Sequence, residues 1–404
     1  MKNPLKNCSI GLGVTGSIAS YKALDLASKL VQQGASVHAL MTGGATKIVT
    51  PLAFTAITHN SVGVDLYNPC SDIGMDHVSV AKTIKLLIIA PATANTLAKM
   101  AYGISDNTVT TTYLATEAPV IVVPAMDGNM YSNTATQTNI NILKDRGTYV
   151  IGPYEGHLAS GQKGIGRMAD TDEILQWAKL IIGQKGDMIN LKVVVTAGGT
   201  KEPLDPIRVI TNRSSGKMGT AIAEAARDRG ASVTLITSSP EAPNIIGVDT
   251  VIAETADEMA TQTKLHIKKA DALIMAAAIS DWKPTVASLE KIKKVGANNL
   301  KLELTKTEDV IASINSSELI KVGFAAETEN LVQNAKIKLN GKNLDLVVAN
   351  QINQEYPVFG ADTNKVVFID KNGEEDLPEM AKYDLGHLII DRLKTMVNKK
   401  KLTR

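Results

Sequence analysis

The chain has 404 residues, of which 44% are hydrophobic, 21% charged and only 4% aromatic, and its formal net charge is +2. This near-neutral balance excludes the dense basic surface of a nucleic-acid-binding protein, and so few aromatic residues exclude stacking platforms for single strands. The longest apolar runs, "LLIIA" and "PVIVVPAM", are too short to span a membrane, and two cysteines cannot form a disulfide framework. We therefore expect a cytoplasmic protein of two ordinary domains whose partners are small molecules.

Two stretches of the chain share the pattern that opens a doubly wound sheet. Residues 10–42 predict an apolar strand ("IGLGV"), a Gly/Ser turn, a helix to about Gln33 and a second strand. Residues 192–237 predict a strand, a helix from about Gly216 and a second strand. The sequence therefore predicts an α/β protein with two doubly wound domains.

The density of charge changes along the chain and marks the boundary between these domains. Charged side chains number 27 in residues 1–190 and 57 in residues 191–404, and the change falls close to Met188. We predict one domain over residues 1–189 and a second over residues 190–404. Near-continuous apolar runs are typical of parallel strands buried on both faces. They lie at 85–92, 118–126 and 148–153 in the first domain and at 271–278, 320–327, 344–350 and 364–370 in the second.

Polar segments follow the strands of the first domain where packing gives no reason for them. "TGS" (15–17) and "MTGGAT" (41–46) offer hydroxyls and backbone N–H groups for a phosphate. "APATANTLAKMAYGISDN" (90–107) and "PAMDGNMYSN" (124–133) suit a flat heteroaromatic ring with a polar edge. Ligands bind outside the carboxyl ends of the strands in open α/β sheets, so these segments predict a binding site there.

These segments, with "GVTGSIASYKA", "MDHVSVAK" and "ASGQKGIGRM", resemble the flavin-dependent cysteine decarboxylases, in particular the decarboxylase half of the bifunctional coenzyme A biosynthesis family. The resemblance spans nearly the whole first domain and implies a flavodoxin-like fold that binds FMN between the subunits of a trimer. It implies oxidation of 4′-phosphopantothenoylcysteine to a thioaldehyde, from which the carboxylate leaves as carbon dioxide. A lone histidine is more often structural, but the resemblance implies that His77 is the acid/base residue of the oxidation. The implied cofactor contacts are Thr15, Gly16, Ser17, Thr42, Thr93, Asn95, Asn107 and Met126.

Two positions of the first domain depart from the commonest pattern of that family. Asp127 stands in place of an asparagine that meets the substrate carboxylate, and Ser160 in place of a flap cysteine that assists the final reduction. A second carboxylate would repel the substrate, so we expect Asp127 to be protonated, repositioned or screened by a cation such as Arg167. Serine is a poorer proton donor than cysteine, so either another group takes that role or this half is slow. Because every glycine of the flap remains, we favour a coordinated catalytic variant.

The second domain carries an insertion of seventeen residues, "TKEPLDPIRVITNRSSG", between its first strand and its first helix. The end of this insertion looks like a Walker A loop, but Thr211 and Met218 stand where that loop needs a glycine and a Ser or Thr. The insertion lies where α/β sheets bind ligands, so we predict a ligand loop that presents Arg208 and Asn212. Neither half has a G-x-G-x-x-G turn, which excludes a pair of ordinary nicotinamide-binding domains.

The insertion, with "AAAISDWKP", "EKIKK", "VGFAAET" and "AKIKLNGKNLDLVVAN", resembles the ligase half of the same family. The resemblance implies a Rossmann-like domain that activates 4′-phosphopantothenate with CTP as an acyl-cytidylate and then transfers it to cysteine. Lysines and Mg²⁺ suit this chemistry because they neutralise phosphate charge as the bond breaks. Asn212 corresponds to a contact of the acyl-cytidylate and Arg208 to a residue needed for its conversion. The implied nucleotide contacts are Ala277, Ala278, Asp281 (also the metal ligand), Lys291, Thr307, Glu308, Asp309, Val310, Phe324, Lys338 and Lys342.

Three functions remain open at this point. The first is a bifunctional enzyme, in which trimers through the first half and dimers through the second combine as a homo-dodecamer. The second is a ligase whose flavin half is inactive or serves another substrate, which Asp127 and Ser160 suggest. The third is a non-catalytic flavoprotein scaffold, against which the intact lysines of the second half argue. Glu308, where the family commonly has proline, weakens residues 307–310 as contacts, and CTP over ATP follows from resemblance alone.

Overall fold

The computed structural model describes residues 3–66, 77–293, 300–352 and 360–402. The chain divides into two compact units, Asn3–Ile182 and Gly183–Arg404. Each unit has a parallel sheet with its own apolar core on both faces, so the prediction of two doubly wound α/β domains is confirmed. None of the described helices combines the length and the apolar character that crossing a lipid bilayer requires.

The N-terminal unit is built on five parallel strands and a separate hairpin. Its strands are β1 (Ser9–Val14), β2 (Ser36–Met41), β3 (Leu86–Ala92), β4 (Val120–Pro124), β5 (Tyr149–Val150), β6 (Tyr154–His157) and β7 (Lys163–Arg167). Its helices are α1 (Ser20–Gln32), α2 (Pro51–Thr58), α3 (His77–Thr83), α4 (Ala94–Tyr102), α5 (Thr108–Ala115), α6 (Gly128–Ser132), α7 (Thr134–Asp145) and α8 (Thr171–Gly183). The sheet order β2-β1-β3-β4-β5 is the flavodoxin-like order, in which the strand order reverses between β1 and β3 while all strands stay parallel.

The apolar strands of this sheet bury side chains on both faces. Leu86 and Ile88 of β3 pack in the core that α1, α2 and α8 cover, whereas Leu87 and Ile89 pack beneath α4, α5 and α7. Each of the four is fully buried, and burial of one such side chain contributes about 1.5–3 kcal/mol. The sheet is therefore a rigid platform that fixes the loops at its carboxyl edge.

The C-terminal unit has an eight-stranded sheet and three smaller ribbons. Its strands are β8 (Lys192–Ala197), β9 (Lys201–Pro203), β10 (Val209–Thr211), β11 (Ser232–Thr237), β12 (Asp249–Ile252), β13 (Ala272–Met275), β14 (Trp282–Pro284), β15 (Leu304–Lys306), β16 (Ile320–Glu327), β17 (Leu346–Gln351), β18 (Thr363–Asn364), β19 (Val367–Asp370), β20 (Gly373–Asp376) and β21 (Met380–Ala381). Its helices are α9 (Lys217–Arg227), α10 (Ala256–His266), α11 (Leu331–Gly341) and α12 (Lys382–Leu402).

The order of the large sheet is β12-β11-β8-β13-β16-β17-β19-β20. The first six strands are parallel and follow the Rossmann order 3-2-1-4-5-6, with the switch between β8 and β13. The run at 364–370 forms β19, but it lies antiparallel to β17, contrary to the expectation of a parallel strand. It turns into β20 through Lys371 and Asn372, with Gly373 as the first residue of β20, and the Asn-Gly pair at 372–373 is a hairpin signal in the sequence.

Candidate functional site

The carboxyl ends of β1 and β3 are tied together at the switch point of the N-terminal sheet. The Thr15 hydroxyl donates to the Pro91 carbonyl at 2.7 Å and accepts the Thr93 N–H at 3.1 Å. Thr15 is fully buried, so this predicted cofactor contact positions its neighbours and lines neither of the cavities described below. The polar groups that follow Thr15 and Thr93 are thereby held at one edge of the sheet.

Two adjoining cavities open at this edge, with volumes of about 570 Å³ and 450 Å³. Both fall within the range of about 300–1,000 Å³ that is usual for small-molecule sites. They share Gly16, Thr93, Ala94 and Met130 in their walls. Seven of the eight predicted cofactor contacts line one or both of them: Gly16, Ser17, Thr42, Thr93, Asn95, Asn107 and Met126.

The two predicted phosphate-binding loops meet through their glycines. A Cβ atom on Gly16 would lie only 3.1 Å from the Cα and carbonyl carbon of Gly44, so a side chain there would force the loops apart. Nearby, the Thr93 hydroxyl accepts the Thr96 N–H, and Asn107 caps α5 by accepting two backbone N–H groups. Bare backbone and two helix N-termini thus lie at the cavities, together with Lys99 in the wall of the smaller one, and this combination suits an anionic group.

A hairpin, β6–β7, closes the larger cavity against the "PAMD" segment. The Met126 N–H donates to the Gly166 carbonyl at 3.2 Å. Gly166 has φ +146°, and a Cβ there would lie 2.1 Å from the Met126 oxygen, so only glycine fits. The tip of the hairpin carries Ser160, whose Oγ donates to Asp127 Oδ2 at 3.2 Å. The two departures from the family pattern are therefore in direct contact.

Arg167 forms no direct ion pair with Asp127 although both line the larger cavity, so screening by Arg167, one of the three alternatives for Asp127, has no direct contact behind it. The Arg167 guanidinium instead forks onto Asp170, with nitrogen–oxygen distances of 3.0 and 3.3 Å. Asp127 accepts the Asn129 N–H at 3.0 Å as the cap of α6, in addition to its bond from Ser160. His77 is the first residue of α3, but its side chain lies outside the part of the chain that the structure describes.

The inserted loop of the C-terminal unit brings Asn212 to the switch point of the second sheet. Gly199, after β8, bridges to Ala278, after β13, and so joins the two carboxyl ends. The Asn212 Nδ2 donates to the carbonyls of Ala278 at 3.4 Å and Ile279 at 3.2 Å. Ala278 therefore contributes its backbone carbonyl, which accepts the bond from Asn212, and Asn212 itself is exposed.

A small cavity at this edge gathers most of the predicted nucleotide contacts. Nine of the eleven line it: Ala277, Asp281, Thr307, Glu308, Asp309, Val310, Phe324, Lys338 and Lys342. They come from the ends of β13 and β16, from the segment after β15 and from α11. Ala278 and Lys291 are the two that do not line it, and Lys291 lies exposed in another segment.

The two lysines at the C-terminal end of α11, Lys338 and Lys342, already have partners inside the protein. The Lys338 ammonium donates to the Phe324 carbonyl at 2.5 Å, and burial, aided by the nearby charge of Lys342, lowers the pKa of Lys338. Lys342 pairs with Asp309 at 2.7 Å. The unusual Glu308 pairs with Lys264 of α10 at 2.5 Å, and this hydrogen bond lowers the pKa of Glu308. The positive charge of the cavity is thus largely neutralised from within.

Two further residues of this edge escape notice in the sequence. Asp205 binds the Arg208 guanidinium at 2.5 Å, and Arg208 also donates to the carbonyl of Ile292, which is the neighbour of Lys291. Asn350 is 5% exposed at the end of β17, and its amide nitrogen has no hydrogen-bond partner among the described residues. A polar residue that ends the apolar run "LVVAN" was the available signal for Asn350, because strand ends carry ligand contacts.

Comparisons with known proteins agree on both units. The family model described as "Flavoprotein" matches residues 1–182, and the one described as "DNA/pantothenate metabolism flavoprotein C-terminal domain" matches residues 188–396. The chain is 38% identical to the "Coenzyme A biosynthesis bifunctional protein CoaBC" of Escherichia coli K12, over 97% of this chain and 98% of that one. The protein of the same name from Bacillus subtilis is 39% identical, over 96% and 97%. The crystal structure of the C-terminal domain of a protein of this name is 31% identical and covers 52% of this chain and 98% of that one, with a TM-score of 0.45.

Proposed function

The chain belongs to the family of bifunctional coenzyme A biosynthesis proteins, and from that premise we propose how its two units divide the work. The C-terminal unit joins 4′-phosphopantothenate to cysteine with CTP, and the N-terminal unit decarboxylates the 4′-phosphopantothenoylcysteine that results. The observation that carries the proposal is the cavity at the carboxyl edge of the second sheet, where nine of the predicted nucleotide contacts meet.

Lys338 and Lys342 bind the triphosphate in this proposal. Lys338 lies in the last turn of α11, Lys342 is the residue directly after this helix, and both line the cavity, so both cations reach one phosphate chain. Their charge neutralises the phosphate oxygens as the bond to the departing pyrophosphate breaks. Because Lys342 is paired with Asp309, the triphosphate replaces one anionic partner with another, and no bare cation has to be kept in the empty site.

Asn212 and Arg208 act on the activated carboxylate. The oxygen of the pantothenate carboxylate attacks the α-phosphate, pyrophosphate leaves, and the acyl-cytidylate forms beside the carbonyls to which Asn212 is bonded. The Asn212 amide donates to the acyl oxygen, which gains negative charge as the cysteine amine attacks and CMP departs. Arg208, whose side chain is 41% exposed, lies in the same loop as Asn212 and assists that second step.

A magnesium ion fits Asp281 in this cavity. Mg²⁺ usually keeps several waters and is bound by one or two carboxylates together with the phosphates of the substrate. The described residues contain no group of three His, Cys, Asp or Glu side chains that would hold a metal unaided. The proposed ion is therefore shared between Asp281 and the nucleotide and arrives with it.

FMN fits the two cavities of the N-terminal unit. The contact of Gly16 with Gly44 leaves a cradle of bare backbone suited to the phosphate, and the larger cavity has room for the ring system. When bound, FMN supplies the two-electron redox chemistry that decarboxylation of a cysteine side chain requires. In this proposal Met126 and Asp127 orient the substrate, Ser160 closes over it from the hairpin, and His77 exchanges the proton.

A second candidate function keeps the ligase and removes the decarboxylase. The hydrogen bond from Ser160 to Asp127 favours it, because this bond occupies both side chains that face the substrate. An ionised Asp127 would also repel a substrate carboxylate. The flavin site would then be inactive or serve a substrate without that carboxylate.

We further propose a homo-oligomer, a dodecamer that combines trimers of the first unit with dimers of the second. Exposed apolar side chains support a contact surface on each unit. In the N-terminal unit they include Ile18, Tyr21, Tyr102 and Met130, and in the C-terminal unit Ile207, Val209, Val286 and Leu289. A cytoplasmic location agrees with a chain that has two cysteines in 404 residues, since secreted proteins tend to carry disulfides.

Three assays on the purified full chain test the proposal. Flavin absorbance shows whether FMN is bound, and pyrophosphate release with 4′-phosphopantothenate compares CTP with ATP, each with and without Mg²⁺. Carbon dioxide release from 4′-phosphopantothenoylcysteine then separates the two candidates. A yellow protein that releases pyrophosphate but no carbon dioxide supports the ligase-only function, and a protein that releases neither contradicts both.

A further inference from the structure

We propose that Asp205 is a positioning residue that couples the two steps of the ligase reaction, an inference that rests on the proposed function of the C-terminal unit. Asp205 lies in the inserted loop between β9 and β10, and it is only 3% exposed. No motif in the sequence singles it out. Its contacts link the segment that carries Arg208 to the separate segment that carries Lys291.

The Asp205 carboxylate accepts five hydrogen bonds. Oδ1 accepts the backbone N–H groups of Ile207 at 2.9 Å and Arg208 at 2.8 Å, which fixes the turn of the loop. Oδ2 accepts Nε and Nη2 of Arg208, at 2.9 and 2.5 Å, and the backbone N–H of Ile292 at 3.2 Å. One oxygen therefore shapes the loop, and the other joins the guanidinium to a second segment.

The segment that carries Lys291 is held through both backbone groups of Ile292, its N–H and its carbonyl. Asp205 Oδ2 accepts a hydrogen bond from the Ile292 N–H, and Arg208 Nη2 donates to the Ile292 carbonyl at 2.7 Å. The Ser288 N–H adds a further tie by donating to the Leu204 carbonyl at 3.0 Å. Lys291 directly precedes Ile292, so the position of its ammonium depends on the same carboxylate that orients Arg208.

In this arrangement the buried Asp205 carboxylate is fixed by its hydrogen bonds, while part of the Arg208 guanidinium stays exposed. Burial opposes the ionisation of Asp205, but the hydrogen bonds from Arg208 and from three backbone N–H groups outweigh it and hold the pKa of Asp205 well below its usual range. Asp205 therefore stays ionised and takes no part in proton transfer. The Arg208 side chain remains 41% exposed, so its guanidinium reaches a ligand while Asp205 fixes two of its nitrogens.

The consequence is a link between nucleotide binding and acyl transfer. Lys291 serves the nucleotide and Arg208 serves the conversion of the acyl-cytidylate, so a change at Asp205 disturbs both steps at once. A residue with a merely structural role would lower the amount of folded enzyme and leave the Michaelis constant for CTP unchanged. The two effects are separable by measuring each step on folded protein.

The test variant is Asp205→Asn in the full chain. Asparagine keeps an acceptor for the loop turn but presents an NH₂ group where Oδ2 now faces the donors of Arg208 and Ile292. Loss of charge-assisted hydrogen bonds of this kind predicts a rise in the Michaelis constant for CTP of about 5- to 10-fold. It also predicts transfer to cysteine that is slower by about 10-fold or more, measured from preformed acyl-cytidylate in single turnover.

A double variant distinguishes action through Arg208 from a separate effect. Asp205→Asn added to Arg208→Ala should slow transfer no further, while it still raises the Michaelis constant for CTP. Asp187→Asn is the matched control, because Asp187 also accepts a forked arginine, Arg229, at 2.7 and 2.8 Å but belongs to the linker before β8. Both steps of that control should stay within about twofold of wild type.

Thermal unfolding shows whether each variant is folded. Should Asp205→Asn fail to fold, Arg208→Lys tests the link from its other end, since lysine keeps the charge but cannot also reach the Ile292 carbonyl. Arg208→Lys should raise the Michaelis constant for CTP because it weakens the contact that positions Lys291, although Arg208 itself is not a predicted nucleotide contact. The inference is overturned if folded Asp205→Asn matches wild type in both steps, or if its loss of transfer adds in full to that of Arg208→Ala. Failure of the proposed function is distinct, because wild type itself would then release no pyrophosphate.

Discussion

The two candidate sites use the same position in two doubly wound sheets but differ in how they hold polar groups. In the N-terminal site backbone groups and helix-capping side chains such as Thr93, Asn107 and Asp127 line most of the cavities, and one ion pair, Lys99 with Asp106, lies at their edge. In the C-terminal site the polar groups are charges paired with one another, as in Lys342 with Asp309. The contrast follows the density of charge along the chain, 27 charged side chains in residues 1–190 against 57 in the remainder.

This difference in lining matches the kind of ligand that each site is proposed to bind. A site for a resident cofactor can be shaped once, by close glycine contacts and helix N-termini, and then left as an open cavity of about 570 Å³. A site for a polyanion that comes and goes needs cations, and these must be neutralised while the ligand is absent. The second cavity is accordingly small, about 160 Å³, and its lysines are already paired.

The largest effect should come from Asn212→Asp. A carboxylate in place of the amide loses the donor to the carbonyls of Ala278 and Ile279 and repels the developing charge on the acyl oxygen. We expect pyrophosphate release to persist and transfer to cysteine to slow by about 10²- to 10³-fold, measured by rapid quench. Asn141→Asp, the same change on an exposed residue of the other unit, is the control. Equal loss of both steps would show that the role given to Asn212 is wrong.

The next effect concerns the paired lysines of the C-terminal site. Lys342→Gln removes a cation from the cavity and should raise the Michaelis constant for CTP by about 10-fold or more, in steady-state pyrophosphate assays. Lys336→Gln is the matched control, because Lys336 lies on α11, close to Lys342 in the chain, and pairs with Glu374 outside the cavity. If the two variants have the same Michaelis constant for CTP, Lys342 has no specific role in CTP binding, and the contrast drawn between the two sites is contradicted.

In the N-terminal site the informative experiment substitutes two contacting residues, Asp127 and Ser160, singly and together. Because Ser160 donates to Asp127, Asp127→Asn and Ser160→Cys should each lower carbon dioxide release by about 5- to 10-fold if the two residues form a coordinated variant. The double variant should lose less than the two single losses combined, because it removes both partners of one contact. Strict additivity in the double-mutant cycle would count against coordination, whereas an inactive flavin half would show as no carbon dioxide release from wild type.

The smallest effect is a pH dependence confined to the C-terminal site. Burial and the charge of Lys342 lower the pKa of Lys338, so its cationic form is lost at a lower pH than that of a free lysine. In the proposed function CTP binding needs the cation, hence the Michaelis constant for CTP should rise with increasing pH, and the rise should begin below the ordinary lysine value of 10.5. Lys338→Arg keeps its charge and should remain flat over the same range. A wild-type profile as flat as that of the arginine variant would contradict the role of Lys338.

The sequence predicts the fold well because its signals are local. Apolar runs at 85–92 and 320–327 and the two strand-helix-strand openings determine both sheets, and the structure follows them. The antiparallel β19 was not anticipated, since the direction of a strand depends on its pairing partner and not on its own residues. Its Asn-Gly turn into β20 was the only local clue.

The sites are predicted unevenly for a similar reason. Motif residues such as Lys338 and Lys342 are brought together as their spacing suggests, because Lys338 lies in the last turn of α11 and Lys342 follows that helix directly. Pairings between distant segments are not visible in the sequence. Arg167 binds Asp170 and not Asp127, and Asp205 reaches a segment 87 residues away. Such contacts depend on the closed tertiary structure, so only the structure shows which charges are already paired.

The measurement that tests the account most directly follows both units in one reaction. The full chain is given 4′-phosphopantothenate, CTP, Mg²⁺ and cysteine labelled in its carboxyl group, and pyrophosphate and labelled carbon dioxide are counted over time. The account predicts pyrophosphate first, then carbon dioxide after a lag, with the two totals equal at the end and 4′-phosphopantetheine as the product. Pyrophosphate without carbon dioxide would contradict the claim that both sites act in sequence.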